Sequence, residues 1–474
     1  MKLIIKLRQP AYYGAGLLVM KSVSLFMLPY VTRQLPTEDY GRYEVLLTFI
    51  NIGTIIGGLG LTDILFRYTG KAENEQELRR LSGETLGFSL VLSTAIFILG
   101  QAIAPAIANV VPGGANTFEI RLLIVMIALE GIISVPLAWL RLVDRAKSFF
   151  IFTTGRGVGQ AILVFIALQS GLGLIGLLYA CVISTIVQAV ILMSYQLKET
   201  QAYWNTQYLI RSLNYGLPIV ISGLIGFSTR GLDVWFLAEE AGDLSVAQYG
   251  VAFKFSSLIH FALQPYEMWW LPKRFRLLQQ KNGIKRAADG AVFGVALTLL
   301  ITVGVAFFAP ILLKLILTEK YHQACMLVPW LSSYIGLKRS AELLNLGCYI
   351  ENNTRNVLII NLISAVFAIL GFVILIPQLK SIGAVISLIL AGIIRLILFF
   401  VISQATLRLP YPSKSLALLW ILTCICLLIN LSEFLTSIAW PVALISWIGI
   451  GYITMRMLYE SSSYSENEIA AESK

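Results

Sequence analysis

From residue 11 onward the chain is a succession of continuous apolar runs separated by short polar stretches. That feature leaves few folds open. About 20 helical residues cross a hydrocarbon core roughly 30 Å thick, and these runs have that length. They do not alternate, so they predict helices and exclude the short alternating strands of a membrane barrel. With 57% hydrophobic and 13% charged residues among 474, charge is too scarce to cover a water-facing surface of that size; soluble domains carry about 25%. Lipid must solvate most of the chain.

The runs predict an all-α integral membrane protein of about fourteen transmembrane helices. They lie at 11–31, 43–69, 84–108, 119–141, 149–169, 174–197, 213–238, 245–271, 288–316, 324–349, 356–377, 382–404, 415–434 and 438–458. Residues 461–474 are polar and read as a disordered cytoplasmic tail. Residues 1–10 form a basic start that leads into the first span, which acts as its own insertion signal. With the N-terminus inside, 23 of the 36 Lys and Arg fall in cytoplasmic segments, 6 in outer segments and 7 within spans. This bias predicts that both termini are cytoplasmic. The net charge of +10 is spread over these loops, so no basic domain offers a nucleic-acid surface.

A long-range repeat runs through the chain. Tyr40-Gly41 follows the first helix and Tyr249-Gly250 follows the seventh. Gly176 and Gly383 open helices 6 and 12, and Asp144 and Glu351 precede helices 5 and 11. The near-constant offset predicts two six-helix lobes, residues 1–197 and 198–405, with an extra helix pair at 406–460. Both lobes start on the same side, so they should be related by a pseudo-two-fold axis along the membrane normal, with a site between them near the midplane.

The stretch from Gly14 through Leu28-Pro29-Tyr30, its Leu35-Pro36 tail ending in Tyr40-Gly41, the second Tyr249-Gly250 and the Gly176 and Gly383 hairpins carry a resemblance. The chain resembles the Wzx-type polysaccharide flippases of the multidrug/oligosaccharidyl-lipid/polysaccharide superfamily. The resemblance implies two six-helix bundles around a central cavity, alternating access, and an undecaprenyl-diphosphate-linked oligosaccharide as cargo. The implied setting is O-antigen (lipopolysaccharide), capsule or exopolysaccharide synthesis in a bacterial inner membrane. Partners would be membrane lipids and a polysaccharide polymerase or export machinery.

Charges inside spans are costly, at least about 2.5–3.5 kcal/mol each, and mark sites or partners. The basic set is Lys21, Arg156, Arg230, Lys254, Lys338, Arg339 and Arg395; the acidic set is Glu130, Asp233 and Glu342, with Glu267 toward an inner end. The excess is positive, which suits a diphosphate and not a cationic drug. Lys21 and Arg230 occupy equivalent repeat positions. Lys21, Arg230, Lys254, Lys338 and Arg339 are therefore the candidate diphosphate ligands. Competing local readings pair Arg230 with Asp233 and Lys338 or Arg339 with Glu342, and let Arg156 and Arg395 snorkel. Glu130 is a structural acid, the partner of a cation on another helix, or with Asp233 a carrier of coupling protons or sodium ions. His260 reads as a satisfied packing residue ahead of a proton relay.

Other signals read as structural. Gly171-Leu-Gly173-Leu-Ile-Gly176 has the spacing of a dinucleotide fingerprint but follows an apolar helix, so it predicts a tight hairpin. Gly155, Gly157 and Gly159 suggest close helix packing, and Trp269-Trp270 an interface belt. The five cysteines lie in apolar runs as small core residues. No cofactor or metal is expected, and no GxxxxGK[ST] motif for ATP is present. The leading function is a flippase and not an enzyme. Alternatives are a multidrug or other lipid extruder of the same superfamily and a membrane-embedded polysaccharide polymerase or glycosyltransferase. Such enzymes hold carboxylates or histidines in long outer loops, and here the outer loops are short.

Overall fold

The computed structural model describes residues 19, 22–70, 72–229, 231–278, 280, 282–350, 355–430, 447–449 and 451. The described chain is helical throughout: α1 (22–34), then α2 (Thr37–Gly58), α3 (Leu61–Thr69), α4 (Glu75–Val110), α5 (Thr117–Leu142), α6 (Ala146–Gln169), α7 (Gly173–Thr200), α8 (Thr206–Ser228), α9 (Leu232–Ser256), α10 (Leu258–Leu277), α11 (Gly283–Ile316), α12 (Ala324–Leu343), α13 (Arg355–Thr406) and α14 (Ser413–Asn430). Among the described residues there is no strand. Among the described residues, eight helical stretches are long and apolar enough to cross a membrane. One of them, α13, breaks at Lys380 (φ 50°, ψ −128°) and so supplies two arms. Length and apolarity thus support a multi-pass helical protein without reaching fourteen. Polar and charged residues dilute α9, α10 and α12, and much of the last pair lies outside the described residues.

The chain forms two compact units, residues 1–247 and 248–474. The repeat sets its boundary at 197/198, whereas α8 packs on α2 and α3 of the first unit. Within that unit α5 is central, lying against α2, α4 and α7, and α6 lies against α7. Membrane helices gain little from burying apolar surface that lipid already solvates, so close approach matters more. Gly53 and Gly57 of α2 supply it: a Cβ at either would run into Ile127 of α5. The chain between α2 and α3 is left-handed at Leu59 (φ 39°) and Gly60 (φ 63°). Gly216 of α8 sits over that break, against the Leu59 carbonyl. One apolar run of the sequence, 43–69, is therefore two helices.

Polar ends are capped. The Asn116 side chain accepts from Phe118 N at 3.0 Å, and Glu119 returns a bond to Asn116 N at 2.9 Å, closing a capping box on α5. Glu119 also receives Arg42 Nη2 at 2.6 Å, which ties α2 to α5. The motif tyrosines Tyr40 and Tyr249 are both buried. Gly41 beside the first is packed against the Asp243 backbone.

In the second unit α11 lies against α10, α12 and α14, and α12 against α13. Trp270 is 1% exposed and stacks on Tyr266 in this core. Only Trp269, 51% exposed with Lys273 Nζ 4.2 Å from its ring centre, suits the interface belt expected of both. Gly155 and Gly159 also depart from expectation: open space surrounds both, so close packing does not explain them. The fingerprint glycines do form a hairpin. Gly171 and Gly173 take φ of 72° and 55°, and Gly176 closes against Ala167 and Leu172. Gly383 packs likewise against the Leu375 backbone after the Lys380 break. Cys181, Cys348 and Cys426 are buried, Cys325 is partly so and Cys424 is exposed.

The charge bias makes a labelling prediction. Asn282 and Lys320 are both exposed, at opposite ends of α11. In intact cells a membrane-impermeant maleimide should modify Lys320→Cys and leave Asn282→Cys untouched. Modification of the latter would invert the topology.

Candidate functional site

Among the described residues, each unit holds a polar cluster that joins its long helices. In the first, Arg156 of α6 donates from Nη1 to Gln188 Oε1 (2.9 Å) and from Nη2 to Thr185 Oγ1 (3.2 Å), both on α7. Glu130 of α5 attracts the same guanidinium. Gln160, one turn along α6, donates to Cys181 Sγ at 3.2 Å. Arg156 is thus held between helices and does not snorkel. Its polar neighbours Thr185 and Gln188 gave no sign in the sequence, because uncharged polar residues are common in spans.

The second cluster joins α10, α12 and α13. Arg339 Nη1 lies 2.7 Å from Glu342 Oε2 and 3.4 Å from Glu267 Oε1. Its Nη2 is 2.6 Å from His260 Nδ1. A guanidinium only donates, so Nδ1 is the acceptor and the ring proton of a neutral His260 sits on Nε2. Arg395 Nη1 approaches Glu342 Oε1 at 3.6 Å. The local Arg339–Glu342 pair expected from spacing is therefore one edge of a five-residue network. Arg395 belongs to it and does not snorkel, and Arg339 is the partner that satisfies His260.

Two guanidiniums against two carboxylates balance, and that balance is what makes the cluster tolerable among apolar helices. Removing one carboxylate strands a cation. Glu342→Gln should lower the stability of the purified protein by about 1–3 kcal/mol, less than the roughly 3–5 kcal/mol of a fully buried pair because this one is half-buried. Glu267→Gln, which removes only the 3.4 Å contact, should cost less. Equal melting temperatures for wild type and Glu342→Gln would refute this.

The remaining candidates are placed as follows. Lys254 is half-buried in the last turn of α9, and Lys338 is half-buried beside Arg339 on α12. Asp233 is 1% exposed at the start of α9. Lys21 and Arg230 lie outside the described residues.

Apolar helices of this length, enclosing balanced charge networks, define a multi-pass integral membrane protein. Residues 7–277, over half the chain, match the family described as polysaccharide biosynthesis protein, and the chain belongs to that family. It is 22% identical over 249 residues to the succinoglycan biosynthesis transport protein ExoT of Rhizobium meliloti, which covers 52% of this chain and 49% of the relative. The chain thus spans about half the length of the curated relative it matches. Its fold is similar to that of the lipid II flippase MurJ in an inward closed conformation, with a TM-score of 0.69 over 94% of this chain and 99% of that one, at 15% identity. An outward-facing multidrug resistance MATE transporter of the MOP superfamily is similar with a TM-score of 0.56, over 84% of this chain and 94% of that one, also at 15% identity. The polysaccharide setting expected from the sequence resemblance agrees with the family match, and the solved structures share the fold.

Proposed function

We propose that the protein is a flippase that moves an undecaprenyl-diphosphate-linked oligosaccharide from the cytoplasmic to the outer leaflet of a bacterial inner membrane. The observation that carries this reading is the sign of the intramembrane charge within a polysaccharide biosynthesis family. Among seven basic residues in the spans, Arg156, Arg339 and Arg395 are matched by the carboxylates and amides described above. Lys21 and Arg230 stand at equivalent repeat positions; in the sequence Lys21 has no carboxylate within a helical turn and Arg230 has Asp233. Cations within spans are relieved by an anion, and a diphosphate supplies one.

Alternating access between two lobes related by an axis along the membrane normal would carry the head group across while the lipid tail stays in hydrocarbon. A proton or sodium ion, handled by Glu130 or Asp233, is the proposed coupling ion. A polymerase would consume the delivered oligosaccharide. Purified full-length protein in sealed vesicles should expose an isoprenyl-diphosphate-linked oligosaccharide to an external lectin faster than protein-free vesicles do. Equal rates would overturn the reading, and export of cationic dyes in place of the glycolipid would favour the multidrug alternative.

A further inference from the structure

The first unit contains a second polar feature, away from its intramembrane cluster. A cavity of about 780 Å³ opens where the first turns of α4, the end of α7 and the start of α8 meet, on the side that the charge bias assigns to the cytoplasm. Its rim is the link between α7 and α8, and this link is firmly held. Gln201 is left-handed (φ 55°). Tyr203 N donates to the Gly83 carbonyl at 3.1 Å, and a Cβ at Gly83 or Gly87 would run into the link's backbone. Asn205 caps α8 through Gln207 N and Tyr208 N and donates to Glu84 Oε1 at 3.1 Å.

The charges of the wall do not cancel from the ligand's point of view. Glu199 spends one oxygen on Trp139 Nε1 at 2.8 Å and the other on Arg145, which stands outside the wall. Glu84 is buried and accepts from both Asn205 and Arg80 Nε. That leaves Lys198, Arg79 and the outer nitrogens of Arg80 facing the opening. Arg79 has only an exposed 3.8 Å contact to Glu75, of a kind worth little in water. Beside these cations, Tyr203 and Trp204 are 43% and 61% exposed. They sit between a span ending at Thr200 and one beginning at Thr206, the level at which aromatic rings mark the passage from hydrocarbon to head groups.

We propose that this cavity seats the phosphate head group of an anionic lipid of the adjoining leaflet, with Arg79, Arg80 and Lys198 binding the phosphate and Trp204 lying along the chain. Guanidinium and ammonium groups bind phosphate by charge-assisted bonds, and the aromatic rim selects a phosphate that carries a lipid. The seat stands independently of the transport reading, because it requires neither the interior cations nor movement of cargo.

The test uses full-length protein in detergent with dioctanoyl phosphatidylglycerol, dioctanoyl phosphatidylcholine, farnesyl diphosphate and inorganic phosphate as probes. Wild type should bind the phosphatidylglycerol in preference to the phosphatidylcholine. An Arg79→Gln, Lys198→Gln double variant should weaken phosphatidylglycerol binding by about tenfold or more, as loss of charge-assisted contacts does. Both side chains are exposed, so its melting temperature should match wild type. Trp204→Ala should weaken the lipid probes and spare inorganic phosphate. Tighter binding of farnesyl diphosphate, lost in the same double variant, would uphold the seat and identify its lipid as isoprenyl-linked. Tighter phosphatidylglycerol binding would uphold it and identify bulk phospholipid. Unchanged binding in the double variant, equal affinity for the two phospholipids, or inorganic phosphate competing as well as phosphatidylglycerol would overturn the proposal.

Discussion

Replacing Lys21 and Arg230 together by alanine is expected to abolish polysaccharide display in a strain that depends on this protein, with protein abundance unchanged or raised. No Asp or Glu stands within a helical turn of Lys21 in the sequence, and Arg230 has only Asp233. Losing one charge-assisted contact to a diphosphate costs about 1.5–3 kcal/mol, or roughly 10- to 100-fold in affinity, and two losses compound. Removing a cation from a span eases insertion, so a defect from misfolding would appear as lost protein and a defect in binding would not. Lys21→Arg keeps the charge and should retain part of the function, because a point charge suffices where no bidentate fork is required. Arg339→Ala makes the contrasting case: it takes the arginine from Glu267 and leaves Glu342 with the 3.6 Å contact to Arg395, and should lower abundance along with display. Full display from the double alanine variant at normal abundance would remove Lys21 and Arg230 from the site.

Gly41→Val is expected to cost the first unit about 3 kcal/mol or more, the upper range for forcing bulk into a packed site. A Cβ at Gly41 would overlap the carbonyl oxygen of Asp243. The obstacle is backbone, so no rotamer change relieves it. Arg42, next in sequence, is bonded to Glu119, which stops the start of α2 from sliding away. The neighbouring charges bear on Asp243 as well: burial raises its carboxyl pKa, Arg42 lowers it, and Glu38 and Asp39 raise it again. Gly155→Ala is the internal control. With open space around it in mid-helix, the added methyl should stabilise by about 0.5–1 kcal/mol, the helix-propensity gain of alanine over glycine. A melting temperature for Gly41→Val equal to wild type, or one for Gly155→Ala that falls with it, would show that these contacts do not govern stability.

The glycine of the Tyr40-Gly41 motif shows how much could be read early. Repetition marked it as important, and the structure supplies the reason, an approach by a segment some 200 residues away in sequence. Membrane class, helical content, the loop-charge bias and the positive interior all follow from the sequence by itself. They depend on composition and on order along a single helix, where neighbours at i+3 and i+4 are fixed by geometry. The Arg339–Glu342 pair was legible for that reason. The partners of Arg156, the entry of His260, Glu267 and Arg395 into one network, the burial of Trp270 beside an exposed Trp269, and the open space around Gly155 were decided by tertiary structure alone. A helix apolar on every side carries no stripe to say which face meets another helix and which meets lipid. In a bilayer both faces are equally well solvated by apolar matter, so close fit between particular helices makes the choice.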